Sequence, residues 1–122
     1  MKFTGERFVT TEEGKIRLEH YHRYSTVLDI VYGKDVLDVA SGEGYGSALI
    51  SDVARTVTGV DMATDAIEHA VATYSDKKNL KFVQGSVTQL QFEDSSFDVV
   101  VSFETIEHLS EQEQMLSEIR RV

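Results

Sequence analysis

The chain has 122 residues, 41% of them apolar, which is enough for one small globular domain. It carries 21 acidic and 12 basic residues, a formal net charge of −9, which disfavours a nucleic-acid partner because a phosphate backbone requires a basic surface. Cysteine is absent, which excludes disulfides and Cys-ligated metals, and the lack of a signal-like N-terminus or a membrane-length apolar run predicts a cytoplasmic protein without a membrane partner.

The beginning of the chain is predicted to form an arm and a helix. Residues 1–14 are polar and contain glycine, which indicates an arm or loop. Apolar residues recur at helical spacing over residues 15–31, and Gly33 is placed to end that helix. We therefore expect an N-terminal arm and helix over residues 1–33, followed by one domain over residues 34–122.

Apolar runs and helical patterns alternate through the rest of the chain. The predicted strands are residues 35–40, 54–61, 80–83 and 97–103, the predicted helices are residues 45–53, 64–75, 104–109 and 110–122, and residues 86–96 are a predicted loop. Thr64 or Asp65 can cap the second of these helices. Such alternation predicts an α/β fold, a Rossmann-like parallel sheet with helices on both faces in a three-layer αβα arrangement.

Three glycines follow the first predicted strand in VLDVASGEGYGS, at Gly42, Gly44 and Gly46. A backbone without side chains can approach a ligand closely, and ligands of parallel sheets bind beyond the carboxyl ends of the strands. The spacing G-x-G-x-G departs from the G-x-G-x-x-G of dinucleotide sites, and Glu43 would bring negative charge towards a pyrophosphate. A ligand with a cationic centre and no phosphate fits better. Asp61, about 20 residues further on, can accept hydrogen bonds from ribose hydroxyls of either ligand.

Three segments, VLDVASGEGYGS, TVTGVDMATDAIEHA and FEDSSFDVVVSFETIEHL, together resemble the class I S-adenosylmethionine-dependent methyltransferases. GERF and HYHRY, near the N-terminus, resemble a bacterial subgroup associated with cell-surface polysaccharide synthesis. The resemblance implies S-adenosylmethionine as cofactor and a small-molecule acceptor such as a sugar or polysaccharide precursor. It also implies further C-terminal strands, so we expect an N-terminal fragment; the alternative is a homodimer through the exposed edge of the strand over residues 97–103.

The resemblance also assigns roles to particular positions. Asp38 and the Gly42–Gly44 loop would hold the methionine part of the cofactor, Asp61 the ribose hydroxyls and Met62 the adenine. The cofactor-binding residues implied in this way are Asp38, Ala40, Ser41, Gly42, Gly44, Asp61, Met62, Ser86, Val87 and Phe103. Ser86 stands where many relatives have an acid, and its hydroxyl can still accept from the adenine amino group.

Glu104, Glu107 and His108 are spaced to share one face of a helix that follows the fourth predicted strand. Two carboxylates and an imidazole can hold Mg²⁺ or Mn²⁺, and Glu104 or His108 can instead act as the base for an acceptor hydroxyl. This E-x-x-E-H pattern resembles methyltransferases of small-RNA 3′ ends and of quinone precursors, in which a metal is implied. The ordinary alternative is acids that favour a helix N-terminus and a histidine that makes a polar contact.

Several functions stay open at this point. The favoured one is a methyltransferase acting on a small molecule; the alternatives are a metal-dependent 2′-O-methyltransferase of RNA 3′ ends and a cofactor-binding module without activity. An NAD-type oxidoreductase is disfavoured by the loop spacing. Outside the site, we expect His69 to lie on the surface without a partner. We also expect a solvated helix face carrying Glu111, Glu113 and Glu118, paired with Arg120 and Arg121.

Overall fold

The computed structural model describes residues 2–4, 27–102 and 109–122. Five parallel strands form one sheet in the order β1-β5-β2-β3-β4. The strands are β1 (Lys2–Thr4), β2 (Asp35–Val39), β3 (Thr56–Asp61), β4 (Leu80–Gln84) and β5 (Val99–Val101). The helices are α1 (described over residues 27–31), α2 (Tyr45–Ser51), α3 (Thr64–Thr73) and α4 (Leu109–Arg121). Over these residues, no helix has the length and apolar character needed to cross a bilayer.

Apolar side chains alternate between the two faces of the central strands and form two separate cores. The first core joins the strands to α1 and α2 and contains Val31, Val36, Ile50, Val57, Val99 and Val101. The second joins them to α4 and contains Leu37, Val39, Val60, Val100, Met115 and Ile119. Because strand side chains point alternately to opposite faces, both faces of β2 and β5 are covered. The predicted Rossmann-like, three-layer α/β fold is confirmed.

The beginning of the chain contributes a strand that the sequence does not predict. β1 pairs in parallel with β5, with Lys2 opposite Val99 and Thr4 opposite Val101. The predicted arm is therefore wrong at residues 2–4, while residues 5–26 lie outside the described residues. Since β5 also pairs with β2, the expectation of an exposed edge at β5 is wrong, and the outer strands of the described sheet are β1 and β4. The homodimer is a prediction that these pairings do not test.

Several element boundaries differ from the predicted ones. α2 ends at Ser51, and α3 has Ala63 as its N-cap with no side-chain cap, so neither Thr64 nor Asp65 fills that role. β5 has only three residues, and before the strand begins the amide of Phe97 donates to the carbonyl of Val122. The strand predicted over residues 97–103 is thus shorter than its apolar sequence indicates.

The loop between β4 and β5 is fastened to the end of α4. Arg121 donates to the carbonyl oxygens of Leu90 and Phe92 at 2.8 and 2.7 Å and forms ion pairs with Asp94 and Glu118. The Glu118 carboxylate also accepts the Leu90 amide, and the bond from Arg121 lowers the Glu118 pKa. The predicted pairing of Glu118 with Arg121 is confirmed. The prediction that Glu118 lies on a solvated face is wrong, because its side chain is only 18% exposed.

Candidate cofactor site

The loop between β2 and α2 has three residues in the left-handed region of backbone space. These are Ala40 at φ 62°, Gly42 at φ 58° and Gly44 at φ 92°. Gly46 instead lies in the first turn of α2. The left-handed positions are therefore 40, 42 and 44. They begin two residues before the glycine positions 42, 44 and 46 that stand out in the sequence. Ala40 gives no sequence signal, because alanine rarely adopts this conformation.

Gly44 is required by packing within the chain. A Cβ atom on it would lie 2.6 Å from Cζ of Phe82 and 2.9 Å from Cβ of Ala70. The same Phe82 ring lies against Gly59 of β3, where a Cβ would be 2.7 Å away. The ring thus crosses β3 over one glycine and reaches the loop at another. Packing against Phe82 therefore explains the glycine at position 44 without a ligand.

Gly42 has a different environment. A Cβ atom there would meet nothing within 4 Å among the described residues. Its positive φ and this open space leave the backbone accessible from outside the loop. Gly42 is therefore the glycine at which a ligand can approach.

Asp61, at the end of β3, is bonded directly to the loop. Its Oδ2 accepts the amide of Gly42 at 2.9 Å, and its Oδ1 accepts the amide of Ala63 at 2.9 Å. A carboxylate has about four lone-pair sites, so both oxygens retain capacity for further donors. The structure brings the glycine loop and the acid of the second central strand together at the carboxyl edge of the sheet.

Buried polar groups lie at the base of the same loop. Asp38 is 1% exposed, and its Oδ2 accepts a 2.6 Å hydrogen bond from Oγ of Ser47, which is fully buried in α2. Ser41 Oγ is buried with no hydrogen-bond partner in the described part of the chain. Ser47 was missed in the sequence because a small residue in an apolar helical run resembles a packing position.

The residues predicted near the adenine lie after β3 and β4. Met62 is 64% exposed, and its carbonyl accepts a bond from the Gln84 side chain at 3.1 Å. The hydroxyls of Ser86 and Thr88 lie 2.9 Å apart. Val87 packs against the core on the α4 side. Gln84 and Thr88 are additional polar residues here that sequence reasoning missed.

Glu43 and His69 face each other across the loop and α3. Nε2 of His69 lies 3.9 Å from Oε1 of Glu43, and both side chains are more than half exposed. The expectation that His69 has no partner is therefore wrong, although its surface position is confirmed. An exposed pair at this distance contributes little stability.

The remaining site candidates, Phe103, Glu104, Glu107 and His108, lie outside the described residues. Within the described ranges, no group of three His, Asp or Glu side chains is placed to hold a metal ion. A cavity of about 550 Å³ lies at the opposite, amino end of the strands, where it is lined in part by Asp35, Arg55, Thr56 and Leu80. Its position separates it from the glycine loop.

Comparison with known proteins identifies the family. A family model described as a methyltransferase domain matches residues 37–122, which include the last three residues of β2, the glycine loop, Asp61 and the strands β3 to β5. The chain belongs to the S-adenosylmethionine-dependent methyltransferases. The expected family is thereby confirmed.

Individual relatives of this methyltransferase-family chain cover nearly all of it. It is 39% identical over 124 residues to a probable S-adenosylmethionine-dependent methyltransferase of Mycolicibacterium smegmatis, covering 100% of the chain and 47% of the relative. A fatty-acid O-methyltransferase of the same organism is 32% identical, with coverage of 91% and 40%. The crystal structure of a Pyrococcus horikoshii protein superposes with a TM-score of 0.78 at 30% identity, covering 93% of this chain and 56% of that one. The chain thus spans about half the length of these relatives.

The site residues of this methyltransferase-family chain fit the cofactor that the family implies. Gly42 offers an open backbone, Asp61 offers carboxylate lone pairs, and Ser41 has a buried hydroxyl without a partner among the described residues. Together, the open backbone, the carboxylate acceptors and the hydroxyl suit a ribose and a charged amino-acid group.

Proposed function

We propose that this chain is the cofactor-binding part of an S-adenosylmethionine-dependent methyltransferase that acts on a small-molecule acceptor. The observation that carries this proposal is the hydrogen bond from the amide of Gly42 to Asp61, beside the open space at Gly42. It supports a shared surface for a nucleoside and its amino-acid tail at the carboxyl edge of the sheet.

In this proposal the residues of the loop divide the cofactor between them. Asp61 binds the ribose hydroxyls, and Asp38 with the loop residues binds the methionine part. The loop residues are Ala40, Ser41, Gly42 and Gly44. The adenine is held by Met62, Ser86 and Val87, and Phe103 closes the pocket. The cofactor supplies a methyl group on a sulfonium leaving group, so the chain mainly aligns the reactants and excludes water.

An acceptor hydroxyl must also lose its proton. We assign this step to Glu104 or His108, which follow β5 in sequence. A base is needed only if the acceptor atom is protonated at neutral pH. Methyl transfer that EDTA abolishes and Mn²⁺ or Mg²⁺ restores would instead assign Glu104, Glu107 and His108 to a metal ion.

Two observations favour two different classes of acceptor. The N-terminal GERF and HYHRY segments favour a sugar or polysaccharide precursor, whereas one relative is named as a fatty-acid O-methyltransferase. Labelled methyl transfer by the chain to a nucleotide sugar and to a fatty acid compares the two directly. Product from one and not from the other defines the acceptor class and contradicts the second assignment.

Cofactor binding is tested by calorimetric titration with S-adenosylmethionine and S-adenosylhomocysteine, with NAD as the ligand control. We expect binding of the first two and none of NAD. Asp61→Asn should weaken binding, because one oxygen that accepts from Gly42 or Ala63 becomes a donor. The matched control is Asp76→Asn, the same change at an exposed position before β4, at the amino end of the sheet. Equal affinity in wild type and Asp61→Asn would contradict the proposed site.

A further inference from the structure

The buried face of α2 carries two serines, four residues apart, that make different hydrogen bonds. Ser47 is fully buried and donates to Oδ2 of Asp38 at 2.6 Å. Ser51 is 5% exposed and donates to the carbonyl of Ala48 within its own helix. The bond of Ser47 therefore joins the helix to the sheet, whereas the bond of Ser51 is local.

Asp38 lies at a position that makes its partner important. It is on β2, opposite Gly59 of β3 and Val101 of β5, and it lies two residues before Ala40, the first left-handed residue of the loop. It points to the same face as Val36, which packs in the core with α1 and α2. A carboxylate at 1% exposure is costly unless hydrogen bonds compensate for its lost hydration. A short bond from a hydroxyl to a carboxylate is of the strong, charge-assisted kind.

We propose that Ser47 is a positioning residue of the cofactor site that acts through Asp38, an inference that rests on the proposed function. The bond joins the last part of β2 to the first turn of α2 and so fixes both ends of the loop from Ala40 to Gly44. It also fixes the orientation of the carboxylate. Asp38 is then held ready for the cationic amino group of the methionine part.

The test compares two serine variants of the chain in calorimetric titration with S-adenosylmethionine. Ser47→Ala should weaken binding about tenfold, the size expected for a hydrogen bond to a charged group. Ser51→Ala, the matched control, also removes a buried hydroxyl from α2 but should bind as wild type does. Equal dissociation constants for the two variants would overturn the proposal.

A double-mutant cycle separates positioning from general loosening of the fold. In an Asp38→Asn background, Ser47→Ala should produce no further tenfold loss, because its target has already been changed. A full additional loss would show that Ser47 does not act through Asp38. Ser47→Cys is the second variant, close in shape but a weak donor, and should bind more weakly than wild type with less effect on folding. Wild-type affinity in a folded Ser47→Cys variant would overturn the proposal.

Different results would contradict the proposed function and the role of Ser47. Wild-type protein that binds neither S-adenosylmethionine nor S-adenosylhomocysteine would overturn the proposed function, and this inference with it. Wild-type protein that binds both, with Ser47→Ala unchanged, would overturn the role of Ser47 alone.

Discussion

The ring of Phe82 occupies the space in which a side chain on Gly44 would lie, with Cζ only 2.6 Å from the position of a Cβ atom. Phe82 belongs to the outer strand β4, on one side of β3. Gly44 lies in the loop that follows β2, on the other side of β3, and immediately precedes α2. One aromatic side chain therefore sets how closely the loop can lie against the sheet.

Gly44→Ala should destabilise the fold by about 2–4 kcal/mol, the sum of left-handed backbone strain and overpacking against Phe82 and Ala70. Gly42→Ala is the matched control, because it has a similar positive φ but an open space around its Cβ position. It should cost only about 1–2 kcal/mol, from backbone strain alone. Urea denaturation of both variants measures the difference, and equal losses would contradict the packing role of Phe82.

Ala40→Gly should stabilise the chain. Alanine at φ 62° carries strain of about 1–2 kcal/mol, and glycine removes it at an unfolded-state entropy cost of about 0.4–1 kcal/mol. We expect a net gain of up to about 1.6 kcal/mol in urea denaturation. Ala48→Gly, within α2, is the control and should lose about 0.5–1 kcal/mol or more, since a helix disfavours glycine. A loss at both positions would show that Ala40 is not strained.

Asn79→Asp should destabilise the junction between α2 and β3. The Asn79 side-chain amide donates to the carbonyls of Ser51 and Ala54 at 2.8 and 3.2 Å. An aspartate there has no donor and places negative charge beside two carbonyl oxygens, at a cost of about 1–3 kcal/mol. The control is Gln91→Glu, the same chemical change at an exposed site, expected within about 0.5 kcal/mol of wild type. Thermal unfolding of both variants in the same buffer measures their melting temperatures. Similar shifts for the two variants would contradict the stabilising role of the Asn79 hydrogen bonds.

The Glu118 carboxylate should contribute to the pH dependence of stability. Because Arg121 lowers its pKa in the folded chain, its contribution is present above the ordinary glutamate pKa and is lost as the pH falls through the lowered value. Glu118→Gln should cost about 1 kcal/mol at neutral pH and should lose less stability than wild type between about pH 5 and pH 3. Denaturation across that range measures the slope.

Glu113→Gln provides the control for that experiment, because Glu113 lies exposed on the same helix. It should leave both the neutral-pH stability and the acid slope close to wild type. A Glu118→Gln variant whose acid slope equals that of wild type would contradict the role of the Arg121 pairing.

The sequence predicted the central part of the fold because the relevant signals are local. The apolar runs of β2, β3, β4 and β5 alternate with helical patterns, and Asp61 ends β3 about 20 residues after the glycine loop, the spacing typical of a ribose-binding acid. These features depend on residues that are close along the chain. They therefore gave the correct family and the correct fold class.

The features that were missed depend on contacts between distant residues. β1 is short and polar in composition, and only its pairing with β5 makes it a strand. Ala40 adopts its left-handed backbone because the surrounding loop imposes it, and no residue type announces that. Likewise, the role of Ser47 depends on Asp38, which faces it from the sheet.

The strand pairings also suggest an order of assembly. Val36 pairs with Val57, and Val57 with Leu80, over short stretches of chain, whereas Lys2 meets Val99 only after almost the whole chain has been brought together. Closing a longer loop costs more entropy, so β2, β3 and β4 can associate first and β1 last. The three residues of β1 should then open most readily, and their amides should exchange with solvent before those of β2.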